Sequence, residues 1–262
     1  MDLGIKGKKA IVNGGSAGMG RSSVLALARE GVEVFVSARG EERLSRACVE
    51  IASETGAKVT PIAADHSSEE GRNRILAACP EPDILVHTCS PPQFTGDFKA
   101  ITEADWHASL GITLLGPIQF MQKLLPGMAA RGWGRVVNIG TAGAKFPHER
   151  RVLSGAPRAA LVNYTVAVSK VVAKDNVTIN NIMPGMFHTP GLEVAFAEIA
   201  EANGTSYDEE VENVIREHNV AAGKFGDPDD LGAFVAMFCS QYASYLVGQS
   251  LAIEGGVTNS TF

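Results

Sequence analysis

A glycine-rich turn offers the first chemistry in this chain. Asn13-Gly14-Gly15-Ser16-Ala17-Gly18-Met19-Gly20 follows a short apolar run at 10–13 and leads directly into an amphipathic segment. Glycines at such a place permit a tight turn and let backbone approach a pyrophosphate closely. The first turn of the following helix offers free N–H groups and the positive end of its dipole. Gly14, Gly18 and Gly20, with Ser16 and Met19 between them, are therefore expected to cradle the phosphates of a dinucleotide. The second apolar run ends Val36-Ser37-Ala38-Arg39, without the acidic residue that would accept hydrogen bonds from ribose hydroxyls. Ser37 leaves room for a phosphate there and the Arg39 guanidinium can fork onto it, so NADP(H) is expected rather than NAD(H).

The elements that must carry this loop are legible from periodicity. Runs at 10–13, 33–38, 58–63, 83–87, 134–139, 178–183 and 250–253 read as strands, several of them continuously apolar. Helical patterns occupy about 19–30, 41–55, 69–78, 103–131, 155–174 and 229–241. This alternation predicts right-handed βαβ units in a single α/β domain over 1–262: a Rossmann-type, doubly wound, parallel seven-stranded sheet. One segment breaks the rhythm. The acidic, helical stretch 191–220 follows Pro184-Gly185, and with 186–190 it is expected to form a substrate lid beyond the carboxyl end of a strand.

Composition narrows the function classes. A net charge of −6 argues against nucleic acid or an anionic membrane as the main partner. The longest apolar stretch, about 231–239, falls far short of the ~20 residues a membrane span needs. The first residues carry no apolar signal segment. Cys48, Cys79, Cys89 and Cys239 are scattered without CxxC spacing, which suits reduced thiols rather than disulfides or a zinc site. A cytoplasmic protein without a metal is the expectation.

With these motifs in order, the chain resembles the short-chain dehydrogenase/reductase family over nearly its whole length, and 3-oxoacyl-carrier-protein reductase-like members in particular. The family's T-G-x-x-x-G-x-G stands here with Asn13 in place of Thr. Asp65, after the third strand, matches an Asp that meets the adenine. Pro184-Gly185 followed by Thr189 matches the P-G-x-x-x-T segment that holds the nicotinamide. Phe225-Gly226-Asp227-Pro228-Asp229-Asp230 and the stretch from Gly248-Gln249 to Gly255-Gly256 resemble the family's last two motifs. The resemblance implies an oxidoreductase of carbonyls or alcohols, and a homotetramer or homodimer formed through the two long helices. Leu110, Leu114, Leu124, Val162 and Val166 would suit that face.

The departures from the family pattern fall where chemistry is expected. The family's N-N-A-G loop is His87-Thr88-Cys89-Ser90 here, with Thr88 on the cofactor side. The catalytic Asn falls on Thr113, the catalytic Ser on Thr141, and the Tyr-x-x-x-Lys pair on Ser154 and Arg158, with Pro157 between them. Tyr164 and Lys170 follow at the wrong place and spacing. A serine hydroxyl is a far weaker acid than tyrosine, and arginine does not give up its proton near neutral pH. Thr141 and Ser154 can still donate to a carbonyl oxygen, with Arg158 stabilising developing charge. His148 and His188 are alternative acids by their ordinary titration range, and Cys89 an alternative nucleophile. A lyase, isomerase or dehalogenase on the same scaffold, or an NADP-binding protein without catalysis, are the alternatives to an oxidoreductase.

Overall fold

The computed structural model describes residues 1–89 and 97–258; Ser90 of the loop motif lies outside the described residues. Seven strands form one parallel sheet: β1 (Lys9–Asn13), β2 (Glu33–Ala38), β3 (Val59–Ala63), β4 (Ile84–His87), β5 (Gly134–Ile139), β6 (Val177–Pro184) and β7 (Ser250–Ile253). Their order is β3-β2-β1-β4-β5-β6-β7. It reverses direction between β1 and β4, where doubly wound sheets open a crevice at their carboxyl ends.

Both faces are covered, which is why the strands read as nearly continuous apolar runs. Alternate side chains Val12, Val34, Val36 and Val86 face α1 (Gly18–Arg29), α2 (Glu41–Thr55) and α9 (Pro228–Cys239), packing on Leu27, Leu44, Ile51 and Leu231. Their neighbours Ile11, Phe35, Leu85 and Val136 face the opposite layer, α3 (Glu69–Ala78), α5 (Gly116–Ala130) and α6 (Val152–Val172), where Ile75, Phe120, Met121 and Leu161 fill the core. The 186–220 excursion holds α7 (Pro190–Asn203) and α8 (Tyr207–Glu217), closed around Phe196, Val211 and Phe225.

Two helices differ from the sequence expectation, and each contains a proline. The single helix expected over 103–131 is α4 (Glu103–Leu110), a π turn at Gly111–Leu115, then α5. Gly116 N–H reaches back to Gly111 O, and Pro117 has no N–H to give. Ile112 O is thereby left to accept from the His66 Nε2–H at 3.3 Å and the Cys89 thiol at 3.6 Å. The helix expected to start at 155 starts at Val152 and runs straight through Pro157. Pro157 cannot donate to Leu153 O, which instead accepts from Ser109 Oγ at 2.5 Å, fastening α4 to α6. Pro157 therefore does not misplace Arg158, which stays one helical turn from Ser154. On the face expected to pair with another subunit, Leu124 is buried in the protein's own core while Val166 is exposed.

α1 and α9 cross with almost no gap: a β-carbon on Gly232 would overlap Ser22 O. Gly232→Val is expected to destabilise by about 1–3 kcal/mol through overpacking against backbone, lowering Tm by roughly 5 °C, as thermal denaturation would show.

Candidate active site

The loop after β1 is shaped by backbone crowding. Gly14 has φ +79° and Gly18 φ +52°, left-handed values that disfavour other residues. A β-carbon on Gly14 would overlap Thr88 O, and one on Gly20 would overlap Gly14 O. Gly14 N and Gly15 N donate to Ser37 O at 2.8 and 3.2 Å, tying the loop to the end of β2. α1 begins without a side-chain cap, so its first N–H groups point into the cleft with the positive end of the helix dipole. These features make an anion cradle fit for a pyrophosphate.

That cradle opens into a cleft of about 220 Å³ lined by the loop, by Arg39, Arg43, Asp65 and His66, by Thr88, Cys89 and Ile112, and by Thr189-Pro190-Gly191. Of the residues expected from sequence, Gly14, Ser16, Gly18, Met19, Gly20, Arg39, Asp65, Thr88 and Thr189 all border it. Ser37 does not. It is fully buried and its hydroxyl donates to Asn13 Oδ1 at 2.7 Å, so at the end of β2 the cleft is lined by Ala38, Arg39 and Arg43 instead. Pro184 and Gly185 also stay out of the cleft; Gly185 lies against Glu254. Arg43, His66 and Ile112 went unnoticed in the sequence. Arg43 carried a usable signal, a second cation four residues after Arg39. His66 and Ile112 carried none, because the π turn brings them together.

Asp65 borders the cleft beside Ala64 and His66. Partial burial raises its pKa, but Ser67 N–H at 2.9 Å and Ser67 Oγ–H at 2.7 Å outweigh that, with His66 and Arg39 nearby, and hold the carboxyl below its ordinary range. Burial pushes His66 below its usual pKa, and pushes the Cys89 thiol up despite the Arg158 guanidinium beside it.

α6 presents Ser154 and Arg158 on one face; neither they nor Thr141 line the cleft, and Arg158 reaches only the small void that shares Thr88, Cys89 and Ile112 with it. Arg158 is 5% exposed, donates from Nη1 to Ser154 Oγ at 2.9 Å, and from Nη2 to Cys89 O at 2.8 Å. It makes no ion pair among the described residues. Gly155 is pressed against Gly143 O, which sets the turn headed by Thr141 against the start of α6. Thr141 remains partly exposed, its Oγ accepting from Gly143 N–H at 3.3 Å. Thr113 is brought near Arg158 around a small void, but is buried and donates its hydroxyl to Ser109 O at 2.6 Å. The alternative acids lie elsewhere. His148 packs beside His218 with ring centres 6.0 Å apart, and His188 contacts Tyr207 Oη at 3.2 Å and the Phe225 ring. Tyr164 packs against the apolar core and Lys170 is exposed on the same helix.

A doubly wound parallel sheet with an uncapped glycine cradle at its switch point defines a dinucleotide-binding class of protein. Residues 14–258 match the family model described as enoyl-(acyl carrier protein) reductase, and the chain belongs to this short-chain dehydrogenase/reductase family of oxidoreductases. It is 28% identical to the 3-oxoacyl-(acyl-carrier-protein) reductase of Aquifex aeolicus, covering 98% of this chain and all of that one. It is 26% identical to human dehydrogenase/reductase SDR family member 4 over 95% of this chain and 87% of that protein. The L-sorbose reductase of Gluconobacter frateurii, solved with NADPH and L-sorbose, superposes with TM-score 0.94 at 27% identity, covering 99% of this chain and 100% of that one. An NADP-bound 3-oxoacyl (acyl-carrier-protein) reductase from Agrobacterium tumefaciens gives 0.86 at 27%, covering 97% and 96%.

Because the Asp65 pKa is lowered on folding, its charge stabilises the protein fully above the unfolded value and that stability is lost as pH falls through the lower, folded value. The Tm advantage of the wild type over Asp65→Asn should therefore hold at neutral pH and shrink below about pH 4. A thermal-denaturation series in pH checks this.

Proposed function

We propose that the protein is an NADP(H)-dependent oxidoreductase of a carbonyl or alcohol, working with Thr141, Ser154 and Arg158 where relatives of this family place Ser, Tyr and Lys. The observation that carries this reading is the Ser154–Arg158 contact at 2.9 Å one helical turn apart. Arg158 donates to Ser154 Oγ, which leaves the Ser154 O–H free to donate to a substrate oxygen. Thr141, partly exposed on the facing turn, supplies a second hydroxyl. NADPH supplies the hydride. The two hydroxyls orient the carbonyl and the guanidinium offsets negative charge developing on its oxygen, in the manner of an oxyanion hole, and the alkoxide so formed takes its proton from solvent water. Thr113 acts at one remove, since its hydroxyl is held by Ser109 O.

The cofactor reading is supported by Arg39 and Arg43 flanking the cleft beyond Ala38, and by the NADPH and NADP bound in the two solved relatives. Thr189, which caps α7 by accepting from Leu192 N–H at 3.3 Å, stands beside Gly18 and so sets the start of the α7–α8 excursion against the phosphate loop, while Pro184 and Gly185, outside the cleft, take no direct part. Sugars and oxoacyl thioesters, the substrate types of those relatives, head the substrate panel. A cytoplasmic homodimer or homotetramer completes the reading. No helix among the described residues is long and apolar enough to cross a membrane.

Fluorescence titration should give a lower Kd for NADPH than for NADH, and Arg39→Ala should raise the NADPH value by roughly tenfold, a charge-assisted hydrogen bond's worth. A tighter NADH complex overturns the cofactor reading. NADPH oxidation across the carbonyl panel should fall by about 10²-fold or more in Ser154→Ala. Ser154→Tyr with Arg158→Lys should raise turnover on simple ketones by at least ~10-fold, because it installs an acid of tunable pKa. If wild type and this variant bind NADPH yet reduce nothing, the oxidoreductase reading fails and the lyase, isomerase or pure binding readings take its place.

A further inference from the structure

Beneath the floor of the cleft, one row of polar side chains, buried except at its half-buried far end, crosses the sheet. Ser37, Asn13, His87, Asn138, Asn181 and Ser250 are successive register partners on β2, β1, β4, β5, β6 and β7. Their side chains bond in one direction. Ser37 Oγ–H donates to Asn13 Oδ1 at 2.7 Å, and Asn13 Nδ2 donates to His87 Nδ1 at 3.1 Å. Beyond a gap, Asn138 Nδ2 donates to Asn181 Oδ1 at 3.3 Å and Asn181 Nδ2 to Ser250 Oγ at 3.0 Å.

The gap between β4 and β5 has a definite chemistry. Because Asn13 Oδ1 is taken by Ser37, the amide presents its N–H to His87 Nδ1, so the neutral ring carries its proton on Nε2. Burial, with His66 nearby, holds His87 neutral. Its Nε2 meets no protein partner, and neither does Asn138 Oδ1, whose Nδ2 is held by Thr165 Oγ1 at 3.1 Å as well as Asn181. Both residues line the same void of about 10 Å³, with Thr113, Cys89 and Arg158 around it. The joining group must accept on one side and donate on the other. A monatomic ion cannot do both.

We propose that this void is a binding site for a single water molecule, accepting from His87 Nε2–H and donating to Asn138 Oδ1, and that the completed row makes His87 a positioning residue for the Thr88–Cys89 wall of the cleft. The row then runs head to tail through six strands, each bond polarising the next. Two polar partners and room for one molecule are what a buried water requires. The positioning role rests on the NADP(H) reading; the water does not.

A crystal structure of the wild type at roughly 1.5 Å should show one density peak within hydrogen-bonding distance of both atoms. An empty void, or a peak touching only one of them, overturns the proposal. Nitrogen-15 NMR should find His87 as the Nε2–H tautomer without titration between about pH 5 and 8; an Nδ1–H ring or one that titrates there overturns it. His87→Phe keeps a ring in place and removes both nitrogens. It should raise the Kd for NADPH roughly five- to tenfold, while Ser250→Ala, which breaks the far end of the row, should leave it within about twofold. Equal effects, or none from His87→Phe, overturn the positioning role. A wild type that binds no NADPH overturns that role together with the cofactor reading, while density and tautomer still decide the water.

Discussion

Three stretches of backbone meet at the carboxyl end of β1 with no room for a β-carbon between them. The Gly14 turn lies on Thr88 O after β4, and the first turn of α1 lies on Gly14 O through Gly20. Side chains there would separate the phosphate loop from the sheet and tilt α1 away. Contact of this kind is what aims the N-terminal N–H groups of α1 at a single point and fixes the height of the Thr88–Cys89 wall beside them. α9 depends on it in turn, since Gly232 packs α9 directly on Ser22 of α1. The Ser22 hydroxyl then reaches Asp229 Oδ1 at 2.6 Å.

Two prolines shape the other half of the site through the hydrogen bonds they cannot make. Pro117 frees Ile112 O, and His66 and Cys89 take it. Pro157 frees Leu153 O, and Ser109 takes it. Each lost helical bond becomes a bond between elements, so α3's leading loop, the β4 loop, α4 and α6 are joined around Arg158. A buried cation without a carboxylate would ordinarily be unstable. Here carbonyl and hydroxyl oxygens take its N–H groups.

Burial also sorts the cysteines. Cys48 and Cys79 are pushed up to about 11 and Cys239 to about 12 by desolvation, so they serve as small apolar side chains. Cys89 alone borders the cleft, where Arg158 opposes the upward push of burial.

The sequence by itself determined the layered α/β architecture, because periodicity and glycine placement are local properties. The seven strands fall within a residue or so of their expected bounds, and Gly14 through Gly20 could only be a strand-to-helix turn. Arg39 was likewise readable from its position after a strand, and Asp65, Thr88 and Thr189 from the resemblance to the family's motifs. What only the tertiary structure decided concerns partners from distant elements. Whether Ser37 faced a phosphate or Asn13 depended on which strand lay beside β2. The π turn needed Pro117 together with donors from the loop after β4 and the loop before α3. The row from Ser37 to Ser250 is invisible along the chain, since its members lie tens of residues apart and become neighbours only when six strands align in register.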